Sequence, residues 1–375
     1  MQKTLYVHIG TGKTGTTALQ DFFLLNCEKL QQLGVEYAKS GLVKNNHHLL
    51  CRNYLRKNVE VQANISSNLS QLNQEIIESS SRSFLISSEY FPGLSHIEIL
   101  ELKNEIKAEI IPIVYLRRQD EFLESWYAQI VKAYQNRDSI YLLKERLKKD
   151  GIFDYVTLTE EWSQVNDDKK VIVRAYEKEG FFKGNIFYDF INAIGLEINE
   201  EDLIFPSNDP NPSIRPNQIK LALELYDYCT PNQRKVLFSP IKNFRDSSTF
   251  FLSTSERQEL INEFSDVNQK VAIKYLERNN LFINNLAKKS DVNENIITDC
   301  FFDQFIYSLF FNNKEVLNAI EDPIIKFLKI ESQKYRLLDM HDVEMRLLQL
   351  AFLVRPNGKH INELLNNCVV KKFEL

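Results

Sequence analysis

Thr4-Leu-Tyr-Val-His-Ile-Gly-Thr-Gly-Lys-Thr-Gly-Thr-Thr-Ala-Leu-Gln20 is the stretch whose reading decides the fold. Leu5, Val7 and Ile9 make a short apolar strand that runs into a loop of glycines, hydroxyls and one lysine. Leu19, Phe22, Phe23 and Leu30 then recur on one helical face. A strand, a Gly-rich turn and a helix N-terminus form an anion cradle. Backbone N–H groups converge there, and the helix dipole adds partial positive charge. Gly12 and Gly15 shape this loop, Lys13 supplies a full charge, and Thr14, Thr16 and Thr17 supply donors. The nucleotide-hydrolase version requires G-x-x-x-x-G-K-[ST]. With Gly12-Lys13-Thr14 as its end, the first glycine would fall where the chain has Val7. The loop is too short on its N-terminal side to wrap a β-phosphate in that manner.

Ile110 to Leu116 reads as a buried strand, with Pro112 expected at its beginning because proline cannot donate to a central ladder. It runs into Arg117-Arg118-Gln119-Asp120. Asp120 is the expected N-cap of a helix from Glu121 to Ala133, in which Phe122, Trp126 and Ile130 repeat at helical spacing. Arg117 closes the strand and Ser125 follows two helical turns later. A guanidinium fork at such a place suits phosphate, to which it donates two parallel, charge-assisted bonds. Val171 to Glu177 is a third β-branched run, ending in Tyr176-Glu177. The helix expected at Tyr188–Gly195 is closed by its glycine.

These segments resemble sulfotransferases that use 3′-phosphoadenosine 5′-phosphosulfate (PAPS). The order Lys13-Thr14-Gly15-Thr16-Thr17 is similar to that family's 5′-phosphosulfate loop. Arg117 and Ser125, eight positions apart, match its 3′-phosphate site, and Tyr176-Glu177 matches its third strand end. The phrases His-Ile-Gly-x-x-Lys-Thr-Gly-Thr-Thr, Ser-Ser-Glu-Tyr-Phe and Tyr-Leu-Arg-Arg-Gln-Asp resemble the bacterial branch that modifies cell-surface or secreted carbohydrate. The resemblance spans about residues 1 to 285, and no counterpart of the family's C-terminal Arg-Lys-Gly element is visible. It implies PAPS as sulfuryl donor and a carbohydrate or glycolipid hydroxyl as acceptor. Gly12, Lys13, Thr14, Gly15, Thr16 and Thr17 would hold the phosphosulfate, Arg117 and Ser125 the 3′-phosphate, and Tyr176 would lie beside the adenine. Lys13 would neutralise the departing oxygen. Glu89, where the strand that begins at Phe84 ends in Ser87-Ser88-Glu89, is the first choice of general base, with His47 and His48 as rival bases or acceptor contacts. No metal is expected, because a sulfuryl group carries less negative charge than a phosphoryl group. Two other readings stay open: a nucleotide-dependent kinase with an aberrant loop, and an inactive nucleotide-binding interaction protein.

Apolar strands at Leu5–Ile9, Phe84–Ser87, Ile111–Leu116 and Val171–Arg174 alternate with helical stretches. The expected fold is therefore α/β and P-loop-like. It has three layers, a central parallel sheet flanked by helices, with ligands at the carboxyl ends of its strands. With 375 residues, 43% of them hydrophobic, the chain can bury a large core. The expected division is a domain over 1–285 and a helical region over 286–375. In the latter, Phe301, Phe302, Phe305, Leu309, Leu347, Leu348 and Phe352 read as core, with room for a protein contact through these helices. A net charge of −5 provides no global field for nucleic acid, so the cationic groups must be local: Lys13, Arg117 and Arg118. Five scattered cysteines (Cys27, Cys51, Cys229, Cys300 and Cys368) read as reduced thiols, without metal-ligand spacing. The opening strand leaves no room for a signal peptide, and no apolar run reaches spanning length. A cytoplasmic enzyme is expected. The polar segment of about residues 45–83 is expected to border the acceptor pocket, and Asn211-x-Ser213 to lie near the nucleotide or in a linker.

Overall fold

The structure, a computed structural model, describes residues 2–57, 65–197, 203–206, 214–241, 248–289 and 300–373. The Asn211-x-Ser213 loop lies outside them. The elements that build the site are β1 (Thr4–Ile9), α1 (Thr16–Leu25), β2 (Val35–Tyr37), α2 (Arg52–Lys57), β3 (Ser83–Ser88), β4 (Glu109–Leu116), α3 (Gln119–Tyr134), β5 (Ile172–Ala175) and α4 (Ile186–Ala193). The five strands form one all-parallel sheet in the order β2-β3-β1-β4-β5. The fold is α/β, with helices on both faces of this sheet and further helices from the C-terminal region.

Alternation along β1 explains the layering. Leu5, Val7 and Ile9 point to one face, where Phe84, Ile86, Val114 and Trp162 pack. The opposite face carries Leu85, Ile113 and Tyr115, covered by Leu19, Phe22 and Phe23 of α1 and Phe190 of α4. Both faces are buried, so the strands read as near-continuous apolar runs. After α4, Gly195 takes a φ of 74°. Leu196 N–H bonds to the Ile191 carbonyl at 3.1 Å, the hydrogen-bond pattern that glycine permits at a helix end.

Three local expectations change. β2 is an additional edge strand, only three residues long. Pro112 lies inside β4, opposite Val7 of β1; β5 joins β4 only from Ile113, so that second ladder begins beyond the proline. Asp120 lies within the first turn of its helix and not at the N-cap position. Helix α3 starts at Gln119, and the Asp120 carboxylate accepts from Arg118 at 2.6 and 3.0 Å and from Arg257 at 2.5 Å.

The chain packs as two units that do not follow the 285/286 division. One comprises 1–123, 144–211 and 255–287, and contains the sheet. The other gathers 124–143 and 212–254 with 288–375. In this second unit Phe302, Phe305, Leu309, Leu347 and Leu348 are buried, as expected, whereas Phe352 is exposed. Cys27, Cys51, Cys229 and Cys368 are free thiols. Among the described residues, no helix is long and apolar enough to cross a membrane.

The Asp120 carboxylate and the Arg257 side chain are both fully buried. Removing one member of such a pair strands an uncompensated charge, at a cost of about 3–5 kcal/mol. Asp120→Ala should therefore lower unfolding free energy by that amount, measured by urea denaturation followed through the first unit. A loss below about 1 kcal/mol would contradict the assigned role.

Candidate functional site

Because the sheet is parallel, the segments after β1, β3, β4 and β5 all leave at one edge. The loop after β1 is shaped by close approaches. A side-chain carbon on Gly10 would come within 2.6 Å of Thr16 Cγ2 and 3.0 Å of the Ser88 carbonyl oxygen. Lys13 and Gly15 both occupy the left-handed region, at φ 61° and 75°. For Lys13 that conformation costs about 1–2 kcal/mol. The Arg117 guanidinium holds it there, donating from Nη1 to the Lys13 carbonyl oxygen at 2.9 Å. The first helical bond of α1 is Leu19 N–H to the Gly15 carbonyl, 3.0 Å, and Gly15 has no side chain to cap the turn. The amides of Thr16, Thr17 and Ala18 therefore have no helical acceptor and face the loop. The hydroxyls are arranged differently from the expectation. Thr14 is buried and donates to the Thr11 carbonyl at 2.7 Å, and Thr16 is buried and donates to the same oxygen at 3.3 Å. Only Thr17 is exposed. The cradle is thus one of amides plus Lys13, with Gly12 half-buried between them.

The Arg117 guanidinium carbon lies 5.4 Å from the centre of the Tyr176 ring, and its Nε is 3.7 Å from Glu121 Oε2. The backbone carbonyl of Arg117 accepts from the buried Tyr155 hydroxyl at 2.5 Å. Tyr176 is anchored by its N–H to the Leu116 carbonyl at 2.7 Å, and its ring would meet a side chain placed on Gly15 at 3.2 Å. Arg117, Tyr176 and the β1 loop therefore converge. Arg118 does not join them. It is buried on Asp120 and donates to the carbonyls of Asn284 and Leu286, at 2.8 and 3.3 Å, so its charge is used in packing. Ser125 is half-buried, two turns along α3. Glu121 was not singled out in the sequence, although its position four residues after Arg117 is a helical pairing signal.

Glu89 follows β3. It is open to solvent, with protein close enough to its carboxyl to desolvate it in part. Burial raises its carboxyl above the ordinary value, and the Lys13 charge and a hydrogen bond from Thr17 oppose that shift. Glu89, Lys13 and Thr17 are thus gathered at one place. His47 is not available as a base. It is fully buried, Nε2–H donates to the Ala38 carbonyl at 2.7 Å, and Nδ1 accepts the Ser87 N–H at 3.1 Å. It ties its loop to β3. His48 is half-buried, with Nδ1 2.8 Å from the Ser88 hydroxyl, and burial lowers its pKa to about 4. The sequence reading also passed over His8 of β1, which is fully buried with Nδ1 2.8 Å from Ser87 Oγ. Among the described residues, no group of three or more His, Cys, Asp or Glu is placed to hold a metal ion.

With this geometry established, comparison with known proteins adds the following. No family model matches the chain, and no solved structure matches it. An archaeal protein from Archaeoglobus fulgidus, described as uncharacterized, is 29% identical over 204 residues, covering 53% of this chain and 55% of that protein. The chain thus spans about half the length of that relative.

Burial lowers the His47 pKa from 6.5 to about 4. Between those values the unfolded chain binds a proton that the native state does not, so stability rises with pH through the window. The contribution is complete above about 6.5 and is lost as pH falls toward 4. The slope is about 1.4 kcal/mol per pH unit for one such group. In denaturant titrations across this window, His47→Gln should flatten the wild-type slope by about that amount. An unchanged slope would remove the buried neutral imidazole from the account.

Proposed function

We propose that this chain is a sulfotransferase that moves a sulfuryl group from PAPS to a hydroxyl of a carbohydrate acceptor, working in the cytoplasm. The observation that carries the reading is the bond between Arg117 and the Lys13 carbonyl. It joins the two segments that resemble the family's 5′-phosphosulfate and 3′-phosphate sites at one edge of the sheet. The amides at the start of α1 and the Lys13 ammonium suit a phosphosulfate. Arg117 suits the 3′-phosphate, with Ser125 on the helix that follows it. Tyr176 packs against Gly15 and Arg117, so it serves the phosphate end of the nucleotide as well as its ring.

In the transfer, the acceptor oxygen forms a bond to sulfur as the bond from sulfur to the phosphate oxygen breaks in line. Glu89 takes the acceptor proton, and adenosine 3′,5′-bisphosphate leaves with the electron pair. Lys13 and the loop amides stabilise the charge that develops on the departing phosphate, and such stabilisation raises the rate because it grows toward the transition state. The Lys13 charge opposes the rise that burial imposes on the Glu89 carboxyl, and so favours the ionised form that a base must have before it accepts a proton.

Two measurements test the reading. Adenosine 3′,5′-bisphosphate should bind wild type at least about tenfold more tightly than AMP, because bonds to charged groups are worth about 1.5–3 kcal/mol each. Arg117→Ala should abolish that preference, and equal calorimetric affinities in the wild type would remove the 3′-phosphate assignment. Glu89→Gln keeps shape but cannot accept a proton. It should slow sulfuryl transfer by about 10²–10⁴-fold while leaving bisphosphate affinity within a few-fold of wild type. Near-normal turnover in Glu89→Gln would take the base away from this residue.

A further inference from the structure

Beside Glu89 the structure gathers three rings that the proposed transfer does not use. Tyr90, the next residue in the chain, lies 4.7 Å from His48 and 5.0 Å from Tyr54 of α2 between ring centroids, both pairs edge-to-face. His48 and Tyr54 close the triangle at 5.0 Å. All three rings are half-buried, so part of the cluster meets solvent. Their polarity is set from below by Ser88. Its hydroxyl oxygen accepts the Tyr90 N–H at 3.1 Å, lies 3.4 Å from the Cys51 thiol, and is 2.8 Å from His48 Nδ1. In the tautomer in which the Ser88 hydroxyl donates to Nδ1, His48 carries its proton on Nε2; in the other, Nε2 is an acceptor, so either form offers a sugar hydroxyl one hydrogen bond.

The loop carrying His48 lies along the same flank of α1 as Glu89. Thr17 hydrogen-bonds Glu89, and Asp21, one turn later, accepts from Asn45 Nδ2 at 2.6 Å. Next to Asn45, the Asn46 carbonyl oxygen Oδ1 is buried without a hydrogen-bond partner among the described residues. Arg52 and Arg56 of α2 are paired with Glu101 and Glu98, each at about 3 Å, so the charges of these two arginines are compensated.

We infer that the His48–Tyr54–Tyr90 cluster is a subsite for the neutral pyranose ring of the acceptor, held by stacking against aromatic faces and by a hydrogen bond at His48 Nε2. Aromatic faces carry partial negative charge and attract the C–H groups of a sugar face. Glu89 stands at the end of this subsite, where a bound sugar would bring a hydroxyl toward Lys13. The word acceptor rests on the sulfotransferase reading; sugar binding at these rings does not.

The test uses the full chain and methyl glycosides of glucose, galactose and N-acetylglucosamine as probes, read by saturation-transfer NMR, with adenosine bisphosphate titrated in parallel. At least one glycoside should receive saturation at its ring C–H protons. Tyr54→Ala and Tyr90→Ala should each reduce that transfer at least threefold without changing bisphosphate affinity, and Tyr54→Phe and Tyr90→Phe should retain it. Because both tyrosines pack on the core, the wild type supplies a second readout: ring signals of labelled His48 should shift when the glycoside is added. No transfer from wild type to any of the three glycosides overturns the proposal. So does transfer that persists in folded alanine variants, or a His48 signal that does not move. If the glycosides bind at these rings and adenosine bisphosphate does not bind at all, the sugar site stands and the donor assignment falls.

Discussion

β1 is paired in parallel along its whole length, with Ile9 level with Ser88 of β3 and with Val114 of β4. That register decides which residues can meet. The chain leaves β1 and β3 at the same height, so the Gly-rich loop and Glu89 emerge side by side. Strand β4 runs two residues further, to where Leu116 is level with Ala175 of β5. Arg117 and Tyr176 consequently leave the sheet together, above the loop, and Arg117 can reach down to the Lys13 carbonyl. A shift of one residue in either ladder would reverse every side chain of that strand between the two cores.

The neighbours Arg117 and Arg118 show how context divides equal chemistry. Successive side chains at a strand end point to opposite sides. Arg117 turns toward the loop and Tyr176, about one-fifth exposed. Arg118 turns into the protein, onto Asp120, which also takes Arg257. Arg118 and Arg257 share one buried carboxylate at the root of α3, and Glu121 adds a second carboxylate, 3.5 Å from Arg118 and 3.7 Å from Arg117. The ion cluster therefore secures the helix start that follows Arg117. The same division separates the adjacent histidines: His47 is fastened between β3 and the Ala38 carbonyl, while His48 stays at the surface among tyrosines.

Much of the sheet was legible in the chain. Strands buried on both faces require unbroken apolar runs, and four of the five appear as such in the sequence. The fifth, Val35–Tyr37, is an edge of three residues, too short for any periodicity to register. Pro112 misled because proline's missing donor matters only where a neighbouring strand needs it, and β5 begins one residue later. Asp120 misled because a carboxylate beside a helix start is equally a cap or an ion-pair partner. The choice depends on Arg257, which is 137 residues away in the chain.

The sequence by itself determined the alternation of strands and helices, and the placing of a lysine and three threonines where a strand passes into a helix. Both follow from short-range periodicity and turn chemistry, which local sequence encodes completely. Only the tertiary structure decided which of those side chains face outward. Thr14 and Thr16 turn inward to one carbonyl because the loop closes on Thr11, and His47 is removed by partners at Ala38 and Ser87. The gathering of Tyr54, Tyr90 and His48 beside Glu89 was likewise beyond local reading. It depends on α2 and the end of β3 being brought together across more than thirty residues of chain, and contact at that separation is set by packing of the whole sheet.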